Sequence, residues 1–281
     1  VTSASTTLPK RNLGDTGITV SCLGLGTVKI GRNQGVKYPS EFELPSDADV
    51  RNLLATARDA GINLLDTAPA YGSSEERLGK LLSERDKWVL CSKTGEEFVN
   101  GQSLFDFSAA YTQLSVERSL KRLKTDYLDL VLIHSDGNDE QIIRQTDCLE
   151  TLAKLKEKGL IRAFGLSGKT VEGGLLALQY ADVVMVTCNP QETAEIEVIK
   201  EAHQLNKGVL IKKALGSGHA VVGGMKGGTQ ANPVADAMRF IFSQNGISAI
   251  IIGSINPEHV LKNSKTAKQA IEKLPANNRL C

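Results

Sequence analysis

Eight short apolar runs, separated by stretches with helical spacing, recur from one end of this chain to the other. They are Cys22–Gly26, Asn63–Asp66, Trp88–Cys91, Leu128–Ile133, Ala163–Leu166, Val183–Thr187, Val209–Ile211 and Ala249–Ile252. Most are apolar at adjacent positions, the pattern of strands covered on both faces, and their alternation with helices marks a parallel sheet. Start and stop signals fill the intervals. Ser46 with Asp49 and Ser73 with Glu76 read as capping boxes, in which a hydroxyl at the helix start satisfies an orphan amide. Gly61 follows Val50, Leu53, Leu54 and Ala57 and reads as a helix stop, while Asn232–Pro233 and Asn256–Pro257 each set a cap before a first-turn proline. Eight strand–helix units in 281 residues predict an α/β fold, a closed (β/α)8 barrel forming a single domain over residues 1–281 with no linker. A doubly wound open sheet is the competitor, but it usually announces a nucleotide site by GxGxxG after its first strand. Here Gly24-Leu25-Gly26 runs into Thr27-Val28-Lys29, and the fingerprint is incomplete.

Charge narrows the function classes. Lysine plus arginine is 33 against 32 for aspartate plus glutamate, and a net +1 gives no field to hold a phosphate backbone or an anionic bilayer. Neither nucleic acid nor membrane is an expected partner. The cysteines Cys22, Cys91, Cys148, Cys188 and Cys281 are scattered, without CxxC, and read as reduced thiols. No apolar run approaches a membrane span, and Val1 to Thr7 lacks the order of a signal peptide. A cytoplasmic location is the default expectation, although a start without methionine leaves room for a removed leader. His134, His203, His219 and His259 contain no HxH pair, which argues against a metal-dependent hydrolase.

In a barrel of this kind, chemistry sits where the strands end. The second run ends in Asp66, with Tyr71 shortly after it; Lys93 follows the third run and His134 the fourth. Each has a bland reading on its own: Asp66 bonding its turn, Tyr71 a loop aromatic, His134 a packed histidine. Together they form a chemical set. A phenol needs an ammonium to lower its pKa, and that ammonium needs a carboxylate to stay charged on a partly buried rim.

These residues resemble the aldo-keto reductases, nicotinamide-dependent carbonyl reductases built on a (β/α)8 barrel. The resemblance rests on Asp66-Thr-Ala-Pro-Ala-Tyr71-Gly72, on Lys93, and on Asp126-Tyr127-Leu-Asp129 leading into His134. Arg11 to Gly17 resembles the hairpin that plugs the barrel bottom, and the likeness runs on to Gly253–Glu258. It implies a catalytic tetrad of Asp66, Tyr71, Lys93 and His134. Tyr71 is the implied general acid, Lys93 with Asp66 lowers its pKa, and His134 orients the carbonyl. Histidine at that corner implies carbonyl reduction rather than the double-bond reduction found where the family carries glutamate. The implied cofactor is NADPH, with NADH possible, and the implied partner a small-molecule carbonyl substrate, for a monomer or small homo-oligomer.

The cofactor segments implied by the same likeness are Gly26-Thr27, Asp66, Ser167-Gly168, Asn189, Leu215-Gly216-Ser217 with Gly218, and Gly253-Ser254 with His259, Lys262 and Asn263 of the following helix. Several positions depart from the family pattern. Met185 stands where a glutamine usually meets the carboxamide, and Lys212 where an aromatic ring usually stacks. Gly168 stands where asparagine is frequent, Gly253 lacks a lysine, and His259 replaces the basic reader of the 2′-phosphate. Lys212 is expected to contact the carboxamide or phosphates instead of stacking. Tyr38 and Phe42 in the first βα connection, and Phe98, Phe105 and Phe107 in the third, either line a substrate site or pack the loops. A short C-terminal tail implies a more open pocket. Two rivals stay open: a class I Schiff-base aldolase using Lys93, Lys212 or Lys213, and a cofactor-binding regulatory module with little turnover.

Overall fold

The computed structural model describes residues 7–36, 41–216 and 232–275. Two antiparallel strands, β1 (Lys10–Asn12) and β2 (Thr19–Ser21), come first, and the eight predicted runs follow as parallel strands. These are β3 (Leu23–Gly26), β4 (Leu64–Asp66), β5 (Val89–Thr94), β8 (Leu128–His134), β9 (Ile161–Ser167), β10 (Val183–Thr187), β11 (Gly208–Lys212) and β12 (Ala249–Gly253), with a separate hairpin of β6 (Glu96–Val99) and β7 (Gln102–Phe105) between β5 and β8. The eight pair in chain order, and β12 closes on β3 through Ile250 opposite Leu23 and Gly253 opposite Gly26. Several strands run past the apolar stretch that predicts them. His134 still pairs with Ser167, and Thr187 with Lys212, because the backbone ladder does not depend on side-chain polarity.

Side chains alternate across each strand, so every second residue faces the barrel interior. Leu64, Cys91, Leu130, Leu132, Ala163, Val183, Met185 and Leu210 fill it, joined from below by Leu13, Ile18 and Val20 of the β1–β2 hairpin. Gly14 lets that plug sit. At φ +55° its backbone lies against β11, and a Cβ there would come within 2.5 Å of the Gly208 amide nitrogen. The outward residues, among them Leu65, Leu90, Val131, Ile133 and Ile211, pack under the surrounding helices through Leu53, Leu78, Val116, Leu152, Val198 and Ile241.

Three of the four predicted helix caps form. Ser46 and Asp49 make a reciprocal capping box for the helix Asp47–Asp59; Asn232 and Asn256 accept from Ala235 and Glu258 amides ahead of Pro233–Phe242 and Pro257–Glu272. The fourth is corrected. Ser73 makes no side-chain cap to Ser74–Leu81, because its amide is drawn 3.1 Å onto the Gly31 carbonyl and its backbone leaves the extended form that a cap needs. Glu76 turns to Arg122 at 2.8 Å instead. The helix Asp47–Asp59 stops at Gly61 as expected, with φ +90°.

Candidate active site

Continuing the inward alternation of the strands leads from the apolar interior to Asp66, Lys93, His134, Ser167 and Lys212 at their upper ends. Thr27 holds the end of β4 through two bonds to the Asp66 carbonyl, from its amide and its hydroxyl, each 2.9 Å. The loop carrying Tyr71 is clamped against the first βα connection by a glycine pair. Gly72 has φ +60°, and a Cβ on it would meet the Gly31 carbonyl oxygen at 2.2 Å. So fixed, Tyr71 presents its hydroxyl 3.0 Å from Lys93 Nζ, which also donates to Asp66 Oδ1 at 2.6 Å and to the Thr67 carbonyl at 3.0 Å. The His134 ring stands edge-on to Tyr71, centroids 6.1 Å apart and planes at 87°.

Burial works against the charge on Lys93, which is 2% exposed, but Asp66, Tyr71 and Cys91 outweigh it and raise the amine above its ordinary range. Lys93 is therefore a fixed cation. His134 goes the other way: burial lowers it, a nearby Glu96 raises it, and Lys93 and Lys212 lower it further. Glu96 Oε2 lies 2.7 Å from His134 Nδ1. Despite its own burial, Glu96 is held down to about 2 by His134, Ser103 and Arg32. On the far side of the mouth, Lys212 Nζ donates to Ser167 Oγ at 3.1 Å and to the Gly168 carbonyl. Burial lowers this amine to about 8, with Glu195 opposing and Lys213 adding.

A cavity of about 570 Å³ opens between these two groups. It is lined by Asp66, Tyr71, Lys93 and His134, and by Gly26, Ser167, Lys212, Leu215, Gly253, Ser254, His259, Lys262 and Asn263 among the cofactor residues expected from sequence. Met185, Lys29, Lys169 and Lys213 line it as well. Four expected cofactor residues lie back from its wall. Thr27 is fully buried between Asp66 and Ser74; Gly168 offers its carbonyl to Lys212; Gly216 ends the turn after β11. Asn189 spends its side chain locally, its Nδ2 on Glu192 and Lys213 and its Oδ1 on the amides of Gln191 and Glu192. Ser217 and Gly218 lie outside the described residues. Gly168 has a reason to be glycine, since a Cβ would meet Asp139 Oδ2 at 2.9 Å.

The loop aromatics pack the loops. Arg32 lies 3.3 Å over Phe98, Lys29 4.9 Å over Phe42, and Phe105 stacks on Phe107 at 6.2 Å; the apolar wall comes from Val28, Met185, Leu215, Val234 and Ile251. Tyr38 lies outside the described residues. Asp129, in the segment leading to His134, is structural, bridging Arg85 at 3.0 Å and Arg162 at 2.7 Å. Sequence reasoning misses Glu96. Its signal was Asn100-Gly101, the dipeptide of a two-residue hairpin turn, whose residues both take positive φ and fold β6 against β7.

Comparison with known proteins agrees with this geometry. The profile of the Aldo/keto reductase family matches residues 22–229. The structure of PA4992 from Pseudomonas aeruginosa, assigned to the aldo-keto reductases, is 54% identical, covers 93% of this chain and 95% of its own, and superposes with a TM-score of 0.84. Aldo-keto reductase YhdN of Bacillus subtilis is 38% identical over 166 residues, 57% of this chain and 47% of its own. The NADH-specific methylglyoxal reductase of Escherichia coli is 31% identical over 193 residues, 64% of this chain and 58% of its own. This chain thus spans less than two thirds of the length of either curated relative.

Proposed function

This chain belongs to the aldo/keto reductase family, and from that premise we propose that it reduces small aldehydes and ketones to alcohols, with Tyr71 as general acid. The observation that carries the reading is the buried chain from Asp66 through Lys93 to the Tyr71 hydroxyl, at 2.6 and 3.0 Å. When bound, a reduced nicotinamide cofactor supplies hydride to the carbonyl carbon. Tyr71 holds the proton that the carbonyl oxygen takes up. Lys93, kept charged by Asp66, stabilises the negative charge that the departing proton leaves on the phenol oxygen. His134, edge-on beside Tyr71, orients the carbonyl, and the apolar wall keeps water off the reacting atoms.

The cavity fits such a cofactor. Hydroxyls of Ser167 and Ser254 and the cation of Lys212 offer hydrogen bonds along its wall, and Lys262 brings positive charge, and His259 ring N–H groups, to the first turns of Pro257–Glu272, where the helix dipole also favours anions. Those two residues support NADPH over NADH, and Lys212 is the residue proposed to meet the carboxamide or phosphates. The test is to titrate both cofactors by fluorescence quenching and then assay aromatic and aliphatic aldehydes with wild type and Tyr71→Phe. Loss of turnover with retained cofactor binding is expected; comparable rates in the two proteins reject Tyr71 as the proton donor.

A Schiff-base reading is supported by one observation, the Lys212 amine lowered to about 8 on the cavity wall. Lys93, raised and buried, is no nucleophile. Borohydride trapping of an aldehyde on Lys212 during turnover, without consumption of reduced nicotinamide, is the result that favours it.

A further inference from the structure

Lys93 and Lys212 both lie at the upper ends of barrel strands and both line the cavity, yet their surroundings differ in kind. Lys93 Nζ lies 2.6 Å from the Asp66 carboxylate, which keeps it an ammonium. Among the described residues no carboxylate lies within ion-pair distance of Lys212, whose Nζ donates to Ser167 Oγ at 3.1 Å and to the Gly168 carbonyl. Its stem stands on an apolar floor. Lys212 is the next inward residue after Leu210 on β11, and Met185 pairs with Leu210 across β10, so the amine sits at the edge of the barrel interior.

Burial brings the Lys212 amine down to about 8, and the charged groups around it pull in both directions. Glu195, the residue before the helix Ile196–Gln204, favours the ammonium, but one of its oxygens is taken by the Thr187 amide at 2.8 Å. Lys213 opposes it. Asp139, at the start of the helix Asp139–Gln145, favours it, though its carboxylate is spent on Ser135, Thr170 and the Lys169 amide. Lys93, across the mouth, opposes it again.

An unprotonated amine is a nucleophile toward carbonyl carbon, and aldehydes are the compounds this cavity is proposed to admit. Resting on that reading, we infer that Lys212 is a capture site for aldehydes: when no cofactor is bound its amine condenses with the aldehyde, and captured aldehyde and cofactor exclude one another. The Nζ lone pair forms a bond to the carbonyl carbon while the C=O π pair moves to oxygen, giving a carbinolamine. The carbon–oxygen bond then breaks, both amine protons leave with the oxygen as one molecule of water, and a C=N bond remains. Nothing is oxidised or reduced, and water reverses the step. The adduct occupies the place where Lys212 is proposed to meet the cofactor. It therefore lies off the path of carbonyl reduction, and, unlike the intermediate of a Schiff-base enzyme, it gives no product.

The test uses the whole chain, benzaldehyde as the probe, and cyanoborohydride, which reduces the imine to a stable secondary amine, with labelled peptides located by mass. Without cofactor at pH 7, Lys212 should take the label about a hundredfold faster than exposed lysines, because far more of its amine is unprotonated. Saturating NADP+ or NAD+, whichever the protein binds, should slow that labelling about tenfold, and Lys212→Arg should abolish it. Adding benzaldehyde before the reduced cofactor should lower the initial rate of reduction, and the reverse order of addition should not. Label on Lys29, Lys213 or exposed lysines but not on Lys212, or labelling of Lys212 that bound cofactor leaves unchanged, overturns the capture site in an enzyme that still consumes reduced cofactor. A protein that labels at Lys212 but consumes no reduced cofactor with any aldehyde overturns the reductase reading, and the competition with cofactor falls with it.

Discussion

The two sides of the barrel mouth are built differently. On the side of β4, β5 and β8, the polar groups are paired with other protein groups at a strand end or in a short loop: Asp66 with Lys93, Lys93 also with Tyr71 and Thr67, and the His134 ring with the Glu96 carboxylate 2.7 Å away. On the side of β9, β11 and β12, the wall carries Lys212, His259 and Lys262, and among the described residues Lys212 donates to a hydroxyl and a backbone carbonyl. The first side is organised before any ligand arrives. The second holds surplus positive charge whose best partners are anionic or amide groups from outside the chain. Residues that move protons need their surroundings fixed in advance, whereas residues that grip a ligand need donors to spare.

That contrast can be broken by paired substitutions. Tyr71→Phe should cut kcat about 1,000-fold while moving the cofactor Kd less than twofold, by rapid kinetics and fluorescence quenching. Lys93→Met strands Asp66 as a buried, unpaired charge, and denaturant unfolding should register a loss of about 3–5 kcal/mol, partly restored by adding Asp66→Asn. Among the described residues Lys212→Met strands no directly bonded carboxylate, so its main effect should be a cofactor Kd about tenfold weaker. An unchanged Kd removes Lys212 from the gripping side.

The pH dependence sharpens the same point. Lys212 carries its charge below about 8 and loses it above, so wild-type cofactor affinity should weaken several-fold between pH 7 and pH 9.5 as the ammonium is lost, and Lys212→Met should show a flat profile in that window. The smallest effect expected is from His259→Ala with Lys262→Ala. NADPH affinity should fall a few-fold with NADH affinity unchanged, measured by the same quenching.

Much of this was legible in the sequence because it is local. A buried parallel strand must be apolar along its length, and a polar residue at or just past the end of such a run lies near the mouth, so Asp66, Lys93, His134 and Lys212 could be placed there without coordinates. What stayed hidden depends on partners. Asn189 looked like a donor for a ligand, but its amide is consumed by its own turn and by Lys213. Ser73 carried the letter of a cap, but Gly31 pulls its backbone away. Gly168 looked like a lost asparagine until Asp139 was seen behind it. Glu96 sits in a hairpin whose strands, β6 half-buried and β7 exposed, carry no long apolar run, so only the Asn100-Gly101 turn marked it.

The Gly14 contact beneath β11 has a consequence for traffic through the protein. Leu13, Ile18 and Val20 cork the barrel from below, and among the described residues the cavity lies at the opposite end, at the mouth. Traffic through the bottom is thereby blocked, and the mouth is where reactant and displaced water have room to pass. Changes to the cork should alter how long the vessel lasts and leave the queue at the door as it was.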